Sequence, residues 1–476
     1  MSVQTPPRLL DLAEMHLLRD DVLAFSALEQ LPVELFPPLF TEAFNGRHTE
    51  ILKAMVQAWP FVRLPLGGLI DLPHVGPLQA VLEALDVLLV QKVCSRCKLR
   101  VLDLRDTGHN FWSMYSGAST HRYTSSGRAP VAEPRSMTKQ HVAPLKVFID
   151  LSLKKRTLDN FLTYLLRWVE QRKASIHLCC KKLKIVSMPI DNIMKVLSMV
   201  QLDCIQEVQV SCTWNLSTLA TFAPFLGHMS NLQRLRLFPI HVSAFKKQEH
   251  DHVVQITSQF QRLGHLQDLH LESPSFLEGR LDQMLRCLTT TLDNLSITNC
   301  QLTESDLTHL SQCPNICQLK CLELNGVTLM DFNPELLQVL LKKVAATLQE
   351  LYLDQCGIQD SQFEAILPSL SCCSQLRSLS LCGNILSMAV MEKMLQQTSG
   401  LSCLSQEWYP APQESYSSQG ILLEGRLPQL QAELLEILRD LGQPRTIWLT
   451  FSPCPHCGDD ICTHMEPIIY SYTNPA

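Results

Sequence analysis

The chain has 476 residues, 46% hydrophobic and 18% charged, a globular rather than a disordered composition, and long enough for one large core or two or three compact domains. Its formal net charge of -6 and pI near 6.2 argue against a general nucleic-acid binder, which needs clustered Lys and Arg to displace counterions. The short basic runs Lys154-Lys155-Arg156 and Lys181-Lys182-Leu183-Lys184 read as solvated helix ends or strand flanks.

The opening "MSVQTPPRLLDLAEM" has no basic region followed by an apolar one, so no secretory signal is expected. The apolar patch 77–91 carries Glu83 and Asp86 and is too short to span a bilayer. An intracellular protein without a membrane partner is expected, cytoplasmic, with the nucleus as an additional compartment. Its 19 cysteines are then mostly reduced thiols packing as small apolar groups.

Residues 1–98 show helical patterns without a repeat. "PRLLDLAEMHLL" (7–18) puts Leu9, Ala13 and Leu17 on one face. A small residue between leucines four apart resembles the elongin-binding BC box, in which a leucine knob and a second apolar anchor flank a point of close approach. Leu23, Ala27 and Leu31 offer a second register. "LEQLPVELFPPLF" (28–40) is apolar yet cut by three prolines, so it cannot be one uninterrupted helix. Its Leu31-Pro32 resembles the start of a cullin-2 box, and L-P-V-E-L also resembles the opening of an F-box, with "AMVQAWPF" (54–61) echoing the later part of that motif. The plainer alternative is a helical cap over the first leucines of a repeat array. Cys94 and Cys97 have zinc-knuckle spacing but no second half nearby.

From residue 99 a repeat emerges. "LRVLDLRDTG" (99–108), "LKVFIDLSL" (145–153) and "IHLCCKKLKI" (176–185) look like degenerate copies. Residues 108–144 are rich in Ser, Thr, Gly, Pro and His without apolar period and read as a disordered insertion. The pattern L-x-x-L-x-L-x-x-N/C-x-L then recurs, starting at 205, 232, 266, 292, 319, 348 and 376, in steps of 27, 34, 26, 27, 29 and 28 residues. "LQELYLDQCGI" (348–358) and "LRSLSLCGNIL" (376–386) are the cleanest copies. The L-x-L core predicts a short strand with leucines on one side, the Cys or Asn a turn, and "PELLQVLLKKVAAT" (334–347) a returning helix. One such unit cannot bury its own leucines, whereas stacked units share a core and bend into a horseshoe. The expected fold is therefore α/β, a leucine-rich-repeat solenoid of about nine units behind an N-terminal helical cap.

Residues 401–476 read as a capping region: a loop over "WYPAPQESYSSQG", an amphipathic helix over 426–442, and a last strand "RTIWLTF". In the tail, "CPHCGDDICTH" holds Cys454, Cys457, Cys462 and His464, and its C-x-x-C-G resembles a zinc knuckle. Cys462 and His464 are only two apart, which strains tetrahedral closure. The expectation is an ordinary reduced tail with no cofactor; zinc, if held, would be structural. No Walker loop, G-x-G-x-x-G, H-E-x-x-H or G-x-S-x-G is present, so no enzyme is expected. Binding is expected on the outward strand face, with Arg234, Arg236 and Tyr352 as anchors for a protein substrate.

The segments "LPVELFPPLFTEAF", "LKAMVQAWPF", "HLCCKKLKI", "SFLEGRLDQ", "LSITNCQL", "YPAPQESY" and "SPCPHCGDD" together resemble the PRAME family of melanoma-antigen-like leucine-rich-repeat proteins over nearly the whole chain. The resemblance implies a substrate adaptor of a cullin-2 RING ubiquitin ligase, with elongin C and cullin-2 as partners. It also implies repression of transcription, restraint of apoptosis and differentiation, and support of proliferation. The basic cluster of the best-known family member is missing between 108 and 144, which puts nuclear residence in doubt. A leucine-rich-repeat scaffold or inhibitor without a ligase, and an F-box-type receptor of a cullin-1 ligase, are the alternatives.

Overall fold

The computed structural model describes residues 9–70, 76–90, 97–107, 111–112, 144–241, 246–442, 444–451 and 465–470. Cys94, most of the 108–144 insertion and the Cys454, Cys457, Cys462 and His464 cluster lie outside them. Two compact units divide the chain: residues 1–183 with 191–204, and residues 184–190 with 205–476.

The first unit begins with α1 (Leu9–Leu17), α2 (Asp21–Leu28), α3 (Phe36–Asn45), α4 (Thr49–Gln57) and α5 (Gly76–Val90). Asp20 caps α2 by accepting from the Val22 and Leu23 amides at 3.0 and 3.2 Å. The proline-cut stretch breaks as its prolines require: a 3-10 turn over Val33–Leu35 follows Pro32, and Pro37 and Pro38 occupy the first turn of α3. Phe36, Leu39 and Phe40 are buried there. Phe40 meets Trp59 edge-on at 5.1 Å and stacks on Trp112 at 5.8 Å, pairings worth about 1 kcal/mol each beyond area burial. Both indoles find acceptors, Trp59 at the Arg63 carbonyl (3.1 Å) and Trp112 at that of Pro65 (2.7 Å).

Strands β1 (Arg63–Pro65), β2 (Val101–Asp103), β3 (Leu145–Leu153), β4 (Ile176–Ile185) and β5 (Val200–Gln201) follow, with β1, β2 and β3 parallel neighbours in that order and β5 parallel to β4. Asp103 is fully buried. Burial alone would raise its carboxyl; hydrogen bonds and charge from Arg105, with Arg63 also paired to it, win and hold it below the ordinary aspartate range.

The second unit repeats strand, turn and helix. Strands β6 (Glu207–Val210), β8 (Arg234–Leu237), β10 (Asp268–Glu272), β11 (Asn294–Thr298), β12 (Cys321–Glu323), β13 (Glu350–Tyr352), β14 (Ser378–Ser380), β15 (Gln406–Pro410) and β16 (Arg445–Thr450) pair in parallel in that order. Short β7 (Trp214–Asn215) and β9 (Ile240–His241) pair apart from it. The register aligns one column of buried residues: Val208, Leu235, Leu269, Leu295, Leu322, Leu351 and Leu379. Each such burial stabilises by roughly 1.5–3 kcal/mol.

The turn residues act as the repeat pattern implies. Asn384 Oδ1 accepts from the Cys356 and Ile358 amides at 3.1 Å, and its Nδ2 donates to the Leu353 and Leu381 carbonyls at 2.8 Å. The Cys356 thiol donates to the Leu324 carbonyl at 3.1 Å. Gly326 sits at φ +68°, where a Cβ would meet Asn299 Oδ1 at 2.3 Å.

The C-terminal region departs from expectation twice. "WYPAPQESYSSQG" is not all loop, since Trp408–Pro410 completes β15. "RTIWLTF" is not the last strand, since β17 (Met465–Tyr470) closes the sheet antiparallel to β16. The first difference has a clear cause: the inward position paired to Leu379 is Glu407, which hides the apolar alternation. Glu407 is buried and gripped by Arg445 through contacts of 2.8 and 2.6 Å, while the Tyr409 hydroxyl donates to it at 2.5 Å. Arg445 also donates to the Leu395 carbonyl and the Thr398 hydroxyl. The helix Leu427–Asp440 packs Leu430, Leu434 and Leu438 inward.

Removing one partner of a buried pair leaves the other uncompensated. Glu407→Ala is expected to destabilise the chain by about 3–5 kcal/mol, read as a lowered denaturant midpoint. Burial pushes the Cys180, Cys356 and Cys373 thiols up to about 12, whereas Cys317 and Cys403 are exposed. Alkylation followed by mass spectrometry is expected to label the last two in the native protein and the first three only in denaturant.

Candidate partner-binding surfaces

Two surfaces carry side chains that packing does not consume. The first is on α1 and α2. Glu14 and Leu18 turn inward, while Ala13 is exposed and Leu17 half-exposed. The side chain of Leu9 lies outside the described residues. In α2, Ala24 and Leu28 are buried, and Leu23 and Phe25 face solvent beside a Val22 that is 77% exposed. Leu12 and Met15 of α1 are exposed as well. Leu31 is half-exposed and Pro32 exposed. The proline-cut stretch thus divides: residues 29–34 are exposed or half-exposed between the buried Leu28 and the buried Phe36, Pro37, Leu39 and Phe40. Exposed apolar side chains grouped on two successive helices make this a candidate partner surface.

The second surface is the outward face of the second unit's sheet. Strand alternation turns the residues between the leucines outward, and the register places Gln209, Arg236, His270, Ser296, Glu323, Tyr352, Ser380, Trp408 and Trp448 in one row. The neighbouring row runs Glu207, Arg234, Asp268, Asn294, Cys321, Glu350, Ser378 and Gln406. Arg234, Arg236 and Tyr352 do share this face, and the sequence reading missed Trp408 and Trp448. The repeat period held the signal, because Trp408 follows Ser380 by 28 residues, but Glu407 masked the strand.

The electrostatics change the weight of the arginines. Arg234 lies between two carboxylates, 3.7 Å from Glu207 and 3.1 Å from Asp268. Arg236 is exposed. Beyond it the face turns acidic: Glu272 ends β10, Glu323 ends β12, Glu350 starts β13 and Asp354 follows it. The Tyr352 hydroxyl donates to Glu350 at 3.3 Å, and burial with the nearby Glu350 charge pushes its phenol up to about 12. Burial raises the Asp354 carboxyl despite bonds from the Ser380 hydroxyl (2.6 Å) and the Cys382 amide (2.7 Å). Beside the end of this face, Asn384, Pro410, Tyr416 and Thr450 line a cleft of about 700 Å³.

The zinc reading gains no residues, since Cys454, Cys457, Cys462 and His464 lie outside the described part. Among the described residues no group of His, Cys, Asp and Glu is arranged to hold a metal. Cys97 donates its thiol to the Val56 carbonyl at 3.6 Å. No helix among those residues is long and apolar enough to cross a membrane.

The outward strand face and the exposed side of α1 and α2 are candidate contact surfaces among the described residues. The family model for the PRAME N-terminal domain matches residues 6–112, and that for the PRAME C-terminal domain matches residues 145–470. PRAME family member 8 of Homo sapiens is 53% identical over 470 residues, covering 98% of this chain and 99% of that protein. PRAME family member 12 of Homo sapiens is 54% identical over 472 residues, covering 98% and 97%. The chain belongs to the PRAME family. The names of these relatives denote no enzyme.

His270 supplies a test of the face. Its pKa is lowered, mainly by burial and further by Arg236, against the opposing pull of Glu323 and Glu272. A histidine held below its ordinary value of 6.5 leaves the unfolded state binding more protons as pH falls. Its stabilising contribution is therefore intact above 6.5 and is lost as pH drops from there through the folded-state value. The thermal midpoint of His270→Gln is expected to fall less steeply than that of the wild type below pH 6.5.

Proposed function

We propose that this chain is the substrate-recognition adaptor of a cullin-2 RING ubiquitin ligase. The observation that supports it best is the outward Ala13 and half-exposed Leu17 of α1, flanked by exposed Leu12, Met15, Val22, Leu23 and Phe25. A small residue beside accessible leucines is what an elongin C hook needs, and the accessibility of half-exposed Leu31 and exposed Pro32 supports their use by cullin-2. In this reading the second unit is a leucine-rich-repeat solenoid, a curved array of stacked units whose outward strand face reads a protein substrate. The in-register leucine column and the Asn384 turn support that architecture. The chain contributes no bond chemistry. It holds substrate and ligase together and so raises their effective concentration. Its sites of action are the cytoplasm and, as a second location, the nucleus. Its downstream effects are repression of transcription, restraint of apoptosis and differentiation, and support of proliferation.

Replacing Leu9 and Leu17 by Asp is expected to abolish co-purification of elongin C and cullin-2 while circular dichroism stays unchanged. Leu31→Ala with Pro32→Ala is expected to weaken cullin-2 and retain elongin C. Capture of the cullin-1 adaptor instead would assign the stretch to an F-box, and capture of neither system would leave a binding scaffold or inhibitor.

A further inference from the structure

The outward face carries more information than a general reader requires. Its central strands present Glu323, Glu350 and Asp354, and the cation nearest them in the row, Arg236, lies three strands away from Glu323. Arg234 is already held by carboxylates on both sides. Tyr352, on the same strand as Glu350, and Trp408 and Trp448 at the far end of the row are half-buried, presenting aromatic surface near this negative charge. One further feature points to a missing ligand atom. The Ser296 hydroxyl is more than nine-tenths buried on the floor of the row, between His270 and Glu323, and has no hydrogen-bond partner. A buried hydroxyl left without a partner is unfavourable, and a ligand donor or acceptor at that position would restore its hydrogen bond.

We propose that this face binds a short, extended, Lys- and Arg-rich segment of a protein, laid across strands β11 to β16. Its cationic side chains meet Glu323 and Glu350, one of them or its aliphatic stem lies against Tyr352, Trp408 and Trp448, and a polar group reaches the Ser296 hydroxyl. Five strand spacings of roughly 4.8 Å make a track of about 24 Å, the length of about seven extended residues. A cation against aromatic faces with carboxylates alongside is favoured twice, by the ring quadrupole and by Coulomb attraction. The same charge repels a nucleic acid. This inference rests on the reading of the face as the substrate reader and adds the chemistry of what is read.

The test uses the purified full chain and fluorescent eight-residue peptides in three sets: alternating Lys or Arg with small residues, the same with Glu, and the same with Ser. The basic set is expected to bind tightest, with affinity falling as salt is raised. Glu350→Gln and Trp408→Ala are each expected to weaken it about tenfold. Ser296→Leu, which fills the floor, should do the same, with denaturant midpoints establishing that each variant is folded. Equal binding of the three sets, or unchanged affinity in both folded Glu350→Gln and Trp408→Ala, overturns the proposal. Proximity labelling in cells separates the two levels. If Tyr352→Ala with Trp408→Ala loses cellular clients while the peptide sets bind equally, the face is the reader but not of basic segments. If the clients are unchanged, the reader assignment itself falls.

Discussion

A strand of three to five residues with one helix behind it cannot keep its own leucines from water. In the second unit every such strand depends on the strand before and after it, and the parallel register meets that need. Leu295, Leu322, Leu351 and Leu379 stand in one column because their strands pair without slip. A slip of one residue would turn each leucine to solvent and each Glu or Tyr inward. The outward surface is therefore fixed by the same constraint that builds the core. Outward rows exist because inward columns do.

Near the end of the parallel run the column is interrupted by charge. Where the next leucine would stand, Glu407 enters the core and is met by Arg445 and Tyr409. A buried pair of this kind adds little net stability compared with apolar packing, but it penalises any arrangement that separates its members. Arg445 reaches Glu407 from β16, the strand beyond β15, so the ion pair selects the strand that closes the parallel run. Strand alternation leaves Trp408 and Trp448 outward beside this pair, and they give the face its aromatic end.

In the first unit proline has the organising part. Pro32 ends one segment and Pro37-Pro38 starts the next, so a single apolar run serves two purposes. Phe36, Leu39 and Phe40 join the cluster around Trp59, while Leu31 and Pro32 stay accessible. An uninterrupted helix would have carried both sets on the same rotation and committed the run to one environment. The same economy is seen on α2, where Asp20 caps a helix whose inner side is only Ala24 and Leu28.

The sequence by itself determined the recurrent unit, the parallel class of the sheet, the outward placement of Arg234, Arg236 and Tyr352, and the family. Each follows from local periodicity, in which spacing alone decides which way a side chain points. It also located the turn residues, since Asn384 and Cys356 occupy the position that the pattern reserves for them. Only the tertiary structure decided what those side chains meet. Whether Arg234 is free depends on Glu207 and Asp268, which lie 27 and 34 residues away along the chain and become neighbours only through pairing. The buried Ser296 and the strand status of Trp408 likewise depend on flanking strands. Such facts stay hidden in a single sequence because charge compensation and burial are set by neighbours across the sheet, while periodicity reports only neighbours along the chain.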